Sequence, residues 1–533
     1  MRQATNENPN VDSGSTVGCA SRGSKRLLMI AAAFPPAGGS GVQRTAKFAK
    51  YLPECGWLPT VWTVDRIDGL PQDPTLLSDL GPDVTVCRWN RGRRARLLQS
   101  PAGRFHRSVC ATKIGNMLVP RVVAAIDWRL NAWLANRPAS RFYGPFPDEF
   151  EGWARASVSP LLRLIDEQGI DAIYSTYSPA SNHLLGLILK QQTSLPWVAD
   201  FRDLWTEDFR YKEPSKSRRE ADQRLEQQIL EQADIVIGVT PSQTRMLAKR
   251  VPDQCGKFRT ITNGYDPDDF ARVGRPTANS EESLVKSEEQ RFDVSTFRRF
   301  LPTLRARPFT LSFVGRFERY RAHEVLLAGL LRFVDSVGAD RSQFVLRIVG
   351  HSDRYTRAAL SRVGIPHELT GYVSHAEAIS EMVSADALLL STEATLPNTE
   401  TVICAKIFEY LASRRPILVV GPDGGECERI VQAANAGLTV TLDEKDIADA
   451  LIQLYQAKQS GRPLSGADVE HFSRYSRKTL TQGLANVLDG MVSEESFVKS
   501  EEREENVETS KRQDLQPSLT ALHSGSLTAG RTS

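Results

Sequence analysis

Apolar residues occur along this chain in short unbroken runs, each followed by a segment whose apolar positions recur at helical spacing. The first run, RLLMIAAAF (26–34), is what a strand buried on both faces requires. A glycine-rich turn, PPAGGSG, comes next, and then VQRTAKFAKYLPECG with Val42, Ala46, Ala49 and Leu52 on one helical face. LPTVWTV (58–64) supplies a second strand. Strand, loop, helix, strand is the unit of a doubly wound parallel sheet. After a less regular stretch, IDAIYSTYS, PWVADF and ADIVIGVT read as strands, with HLLGLILKQQ and EADQRLEQQILEQ as helices between them. RTITNGYDPDDF closes this half with a short strand and a turn at Asn263–Gly264.

The alternation then restarts. FTLSFVG, FVLRIVG, DALLLS, PILVVG and LTVTL are short apolar strands, separated by helix-like HEVLLAGLLRFVDSV, TRAALSRV, AEAISEMVSA, VICAKIFEYLAS and ECERIVQAANAG. Two such series predict an α/β protein of two doubly wound lobes, residues 25–265 and 309–490, facing each other across a cleft. Between them, residues 266–308 are a linker whose charged segment SEESLVKSEEQ (280–290) nearly repeats as SEESFVKSEER (493–503). Two separated copies suit a solvated insert rather than a folded repeat array, with a docking motif as the alternative. Residues 1–24 and 491–533 are polar enough to be expected disordered.

Length agrees with two lobes, since 533 residues exceed what one core supports. A net charge of +3 gives no overall field to recruit nucleic acid. The seven cysteines are scattered without a CxxC pair, which argues against a disulfide framework or a zinc site and for a reducing compartment. The first 24 residues lack a signal-peptide core, and no run reaches the roughly 18 apolar residues that span a bilayer. The expected location is the cytoplasm, with membrane contact at most peripheral, at the inner face.

Several segments carry candidate chemistry, each with a plainer alternative. In FPPAGGSGVQR, Gly39 and Gly41 precede a helix whose first N–H groups suit a phosphate; the alternative is a tight turn. A dinucleotide fingerprint is disfavoured, because its third glycine would fall on Arg44. Arg316, just past a strand, and Arg321, at the next helix start, could clamp a diphosphate, or could belong to a solvated arginine-rich turn. Lys406 and Glu409 are three apart on one helix, placed for phosphate and a ribose diol, or for an ordinary ion pair. His183 stands at a strand-to-helix junction, where it could orient a hydroxyl or serve as a local hydrogen-bonding residue. Asp200, Arg202 and Asp203 follow a strand and either face the acceptor side or form a buried ion network. Residues 88–121 hold nine Lys/Arg and no acid, interleaved with Trp89, Leu97, Leu98, Phe105 and Val109. That mixture suits an anionic membrane or lipid-linked acceptor, or a mobile basic loop.

Taken together, FPPAGGSGVQRTAKFAKYL, DFRDLWTED, ADIVIGVTPS, ITNGYDPDDF, VGRFERYRAHEVLLAGL and AKIFEYLASRRPIL resemble glycosyltransferase family 4, in order and spacing. The resemblance implies the GT-B fold, two Rossmann-like lobes, and a nucleotide-sugar transferase that retains anomeric configuration without metal or other cofactor. It places the Gly38–Gly41 loop near donor phosphate and acceptor, and Arg316 on the diphosphate beside Arg321, which stands where the family usually has lysine. Glu409 matches the second Glu of the family's Glu-x7-Glu, which holds the ribose; the first Glu is replaced by Thr401, with Glu400 one place off. DPDD (266–269) reads as a turn, not a metal motif. The implied reaction moves a hexose-like sugar from a nucleoside diphosphate to a polysaccharide, lipid-linked oligosaccharide or glycolipid, with Arg316 and Arg321 stabilising the leaving group and His183 serving the acceptor. A GT-B epimerase or phosphorylase, a two-lobed sugar-binding protein, and an inactive transferase-like scaffold are the rival readings.

Overall fold

The computed structural model describes residues 24–89, 146–273 and 308–493, except 66, 68–71, 212–214, 320, 322, 323 and 338–340. The segment before Ser24, nearly all of the basic stretch 88–121, the charged 280–290 element, and its copy and the tail beyond Ser493 lie outside the described residues.

Among the described residues the strands make two sheets, all of whose neighbours pair in parallel. The first holds β1 (Lys25–Ile30), β2 (Trp57–Val64), β3 (Thr85–Trp89), β4 (Ala172–Tyr177), β5 (Trp197–Phe201), β6 (Ile235–Gly238) and β7 (Phe258–Thr260), in the order β3-β2-β1-β4-β5-β6-β7. The second holds β8 (Phe309–Val314), β9 (Phe344–Val349), β10 (His367–Gly371), β11 (Ala387–Ser391), β12 (Ile417–Val420) and β13 (Gly437–Val440), in the order β10-β9-β8-β11-β12-β13. This is the expected pair of doubly wound, GT-B-type lobes. Central β5, β8 and β11 are buried at every position, as unbroken apolar runs demand when helices cover both faces. The order reverses between β1 and β4 and between β8 and β11, so the loops leaving β1 and β8 open at the switch points where such sheets take ligands.

One boundary is corrected. The second lobe was expected to run to residue 490, but the helix at 477–493 packs on the first. Leu484, Ala485 and Leu488 are buried with Leu27, Met29, Phe48 and Trp57 of that lobe. Asp489 accepts from the Trp57 indole N–H at 3.0 Å and pairs with Lys25 at 2.6 Å. The physical reason is that an amphipathic helix must bury its stripe, and the unfilled apolar face here belongs to lobe one. The two chain crossings between the lobes lie side by side: Tyr265 N–H donates to the Tyr475 carbonyl at 3.1 Å, and Arg477 N–H to the Tyr265 carbonyl at 2.8 Å. Gly264 is required there, because a Cβ would collide with the Tyr475 carbonyl.

Lobe one is pinned by a buried ion pair. Arg44, in helix α1 (Ser40–Tyr51), grips Asp200 of β5 with Nε at 2.7 Å and Nη2 at 2.9 Å. Its remaining donors reach the carbonyls of Ile261 at 2.9 Å and Thr262 at 2.8 Å. Tyr174 donates its hydroxyl to the same Asp200. One guanidinium thus ties α1, β5 and the exit of β7. Among the described residues no helix is long and apolar enough to cross a membrane. Arg44→Ala would leave Asp200 buried without its cation and should cost about 3–5 kcal/mol in urea denaturation, while Arg44→Met with Asp200→Leu should recover much of it.

Candidate active site

On the lobe-one side, the chain leaving β1 turns at Gly39, whose φ of 112° is strained for any residue with a Cβ, and enters α1 with no side-chain cap. The α1 N–H groups are therefore available to a ligand. A Cβ on Gly41 would overlap the Arg202 guanidinium, so Arg202 lies directly against this turn, its Nη2 donating to the Ser178 carbonyl at 3.1 Å. Of the acceptor-side trio, Arg202 thus reaches the site. Asp203 pairs with exposed Arg210 at 2.8 Å. Asp200 does not face the cleft: it is fully buried on Arg44.

His183 is a correction too. It is fully buried, its Nδ1 lies 2.7 Å from the Ser175 hydroxyl, and it packs against Phe201 at 4.7 Å between ring centroids. Burial lowers its pKa to about 3, so it stays neutral inside the lobe and cannot attend an acceptor. The Ser181–Thr193 helix is buried nearly all round at its start, which takes its third residue into the core.

On the lobe-two side the two arginines part company. Arg316 has a 72% exposed side chain and binds Glu318 through Nε at 2.9 Å and Nη2 at 2.5 Å. Arg321 instead reaches inward, its Nη1 donating to the Cys404 thiol at 3.6 Å at the foot of the Lys406–Ser413 helix, while its carbonyl accepts from Ser391 at 2.6 Å. That helix also begins without a side-chain cap. Lys406, its first residue, stands 2.9 Å from Glu409. Burial pushes the Glu409 pKa up, but Lys406 and then His375 outweigh it and hold the carboxyl below its ordinary range. Thr401 is buried and turned to lobe one, its carbonyl accepting from the Thr240 hydroxyl at 3.1 Å; Glu400 is exposed.

The residue that joins the two sides is one the sequence did not single out. His375, at the start of the His375–Ser384 helix, places Nε2 3.0 Å from Asp269 and 4.0 Å from Glu409, and Nδ1 3.5 Å from the Gln43 amide of α1. A Ser374–Glu377 capping box fixes that helix start and was legible as Ser-x-x-Glu. The partners come from other parts of the chain, and no local signal announces them. Beside them, Asp79, Asp266 and Asp269 bring carboxylate oxygens within 4.8 Å of one another, a spacing that suits a cation. The Lys47 ammonium takes that place, 2.6 Å from Asp79, 2.5 Å from Asp266 and 3.5 Å from Asp269.

Glycine turn, uncapped helix starts and a paired glutamate therefore meet at the junction of two doubly wound lobes. Residues 39–264 match the glycosyl transferase 4-like domain, and residues 308–457 match the glycosyl transferases group 1 domain, together more than half the chain. The chain belongs to the group 1 glycosyltransferases. No curated protein sequence matches it significantly. Among solved structures, Anabaena HepE in complex with UDP and glucose is similar with a TM-score of 0.53 at 14% identity, over 87% of this chain and 100% of that one. HepE with UDP alone gives 0.52 at 14%, over 87% and 100%. The N-terminal domain of Candida albicans trehalose-6-phosphate phosphatase gives 0.50 at 13%, over 90% and 99%. At these identities the likeness is one of fold.

In this glycosyltransferase the lobe junction carries a pH-sensitive contact. Burial lowers the His375 pKa, but the hydrogen bond to Asp269 and the charges of Glu409 and Asp269 outweigh it, against Lys406, and the net shift is upward. A raised pKa adds stability that is full below the unfolded value of about 6.5 and is lost as pH rises through the folded value. The stability advantage of wild type over His375→Gln in urea denaturation should therefore be largest below about pH 6 and shrink at higher pH. An advantage independent of pH would contradict a charged His375.

Proposed function

We propose that this glycosyltransferase moves a hexose-like sugar from a nucleoside-diphosphate sugar to a polysaccharide, lipid-linked oligosaccharide or glycolipid acceptor, with retention and with no metal or other cofactor. The observation that carries the reading is the Lys406–Glu409 pair at an uncapped helix start, with Arg321 at its foot and the α1 glycine turn on the other lobe. An ionised carboxylate accepts from a vicinal diol, and a helix N-terminus with two cations suits a diphosphate. That HepE is known in complex with UDP and glucose supports a nucleotide-sugar donor.

In this reading Glu409 holds the ribose, and Lys406 and Arg321 receive the diphosphate. Arg316, exposed and paired with Glu318, exchanges that partner for phosphate as charge grows on the leaving group. Gly39 lets donor and acceptor approach the α1 backbone, while Arg202, seated against Gly41, and Asp203 lie on the acceptor side. The departing phosphate takes the acceptor proton, since His183 is buried away from the cleft. Acceptor binding at an anionic membrane face would fall to residues 88–121, in a cytoplasmic enzyme.

Calorimetric titration with UDP-, GDP- and ADP-sugars tests the reading. One donor should bind, and Lys406→Ala and Arg321→Ala should each lose about 1.5–3 kcal/mol of that affinity, the range of a charge-assisted hydrogen bond. Binding of none, or affinity indifferent to both substitutions, would remove the proposal.

A further inference from the structure

Two buried cysteines lie side by side at the donor end of lobe two. Cys404, 9% exposed, precedes the Lys406–Ser413 helix; Cys427, 4% exposed, lies in the Glu426–Ala433 helix. Both are free thiols. Although 23 positions apart, they touch: the Cys404 N–H donates to the Cys427 sulfur at 3.4 Å, and the Cys427 thiol donates to the Val402 carbonyl at 3.6 Å. An N–Cα bond of about 1.46 Å then places the Cys404 Cα within about 5 Å of the Cys427 sulfur. A Cys404 side chain turned toward Cys427 closes that gap with an S–S bond of about 2 Å.

Packing alone would account for two small apolar side chains in the cluster around Ile403, Ile407 and Ile430. The two sulfurs differ, however, in a way that packing does not require. Cys404 keeps some exposure, and its sulfur accepts from Arg321 Nη1 at 3.6 Å. Cys427 is held against its backbone from within the core. Burial pushes the Cys427 thiol up to about 12, and Cys404 adds to the rise, against the Cys404 N–H and Arg321. One sulfur thus meets a small electrophile while the other waits beside it as a protonated partner. A reachable thiol next to a resolving one is the arrangement of a redox-sensing pair. In a reducing compartment the bond such a pair forms is transient, as sensing requires.

We infer that Cys404 and Cys427 are a thiol pair that a hydroperoxide closes into a reversible disulfide, loosening Arg321 at the donor side. The Cys404 sulfur attacks one peroxide oxygen: an S–O bond forms, the O–O bond breaks, and the thiol proton leaves with the other oxygen as water or an alcohol. Arg321, already at that sulfur, donates to the departing oxygen. The Cys427 sulfur then attacks the sulfenic sulfur. The S–S bond forms, the S–O bond breaks, and the hydroxyl leaves with the Cys427 proton as water. The two thiols lose two electrons, and the peroxide gains them. Turning toward Cys427 takes the Cys404 sulfur from Arg321, which loses that hold at the helix foot. The effect on donor binding rests on the reading of Arg321 as a diphosphate ligand; the disulfide itself does not.

Non-reducing peptide mapping of the full wild-type chain after hydrogen peroxide, and again after dithiothreitol, reads the bond. Isothermal titration with UDP, GDP and ADP reads its effect. Peroxide should join the Cys404 and Cys427 peptides, and dithiothreitol should part them. Affinity for the nucleotide that the reduced protein binds best should fall roughly two- to tenfold on oxidation, the cost of ordering a loosened side chain, and return on reduction. Cys427→Ser should stop at a Cys404 sulfenic acid that dimedone traps, and Cys404→Ser should trap none at Cys427. Oxidation elsewhere in the chain with no Cys404–Cys427 link overturns the inference, and so does a link that leaves nucleotide affinity unchanged. A wild type that forms the link but binds no nucleoside diphosphate in either state overturns the Arg321 reading and the coupling to it, and leaves the thiol pair standing.

Discussion

A buried charge must find its opposite, and in this protein the search spans the whole chain. Arg44 lies in the first helix of lobe one, yet its guanidinium is satisfied by β5 and by the carbonyls that follow β7. The bonds are short and buried, so their geometry is stiff. They fix where α1 begins relative to the strand exits, and thereby where its open N–H groups point. Gln43, one residue before, is set by the same anchor to reach His375 of the other lobe. Without that pair the glycine turn would have no defined partner across the junction.

Around this anchor the junction repeats one logic at different depths. Lys47 is surrounded by three carboxylates, His375 by Asp269 and Glu409, and Glu409 by Lys406 and His375. Each charge is shared among elements distant in sequence, so the two lobes are registered by electrostatics as well as by apolar packing. Such networks are weak evidence for stability and better evidence for specificity of arrangement. Backbone contributes as well, the Thr401 carbonyl accepting from the Thr240 hydroxyl of the facing lobe.

What the sequence made legible follows from how local each signal is. β1, β8 and β11 could be read because an unbroken apolar run of strand length has few other uses. β3 and β10 could not, since edge strands with mixed exposure carry no such run. The Lys406–Glu409 pair was found because its members are three positions apart on one helix; His375 was missed because Gln43, Asp269 and Glu409 lie in other segments. His183 was misplaced for a related reason. A polar residue at a strand-to-helix junction looks ready for the cleft, and only the packing of Phe201 and Trp197 around it shows otherwise. The 477–493 helix shows a limit of another kind, for periodicity reveals that a helix has an apolar stripe and not which body the stripe will cover.

The side-by-side crossings at Tyr265 and Ser476 have a topological corollary. Lobe two is a guest inserted into lobe one, admitted and released through two adjacent doors. Host and guest share one threshold, where Val239 and Tyr265 of the host join the apolar cluster of the guest. Such a guest could be exchanged as a cassette without unravelling the host sheet, provided the closing helix stays with the host. A graft that carried this helix away with the guest would take a wall of the host's interior along with it.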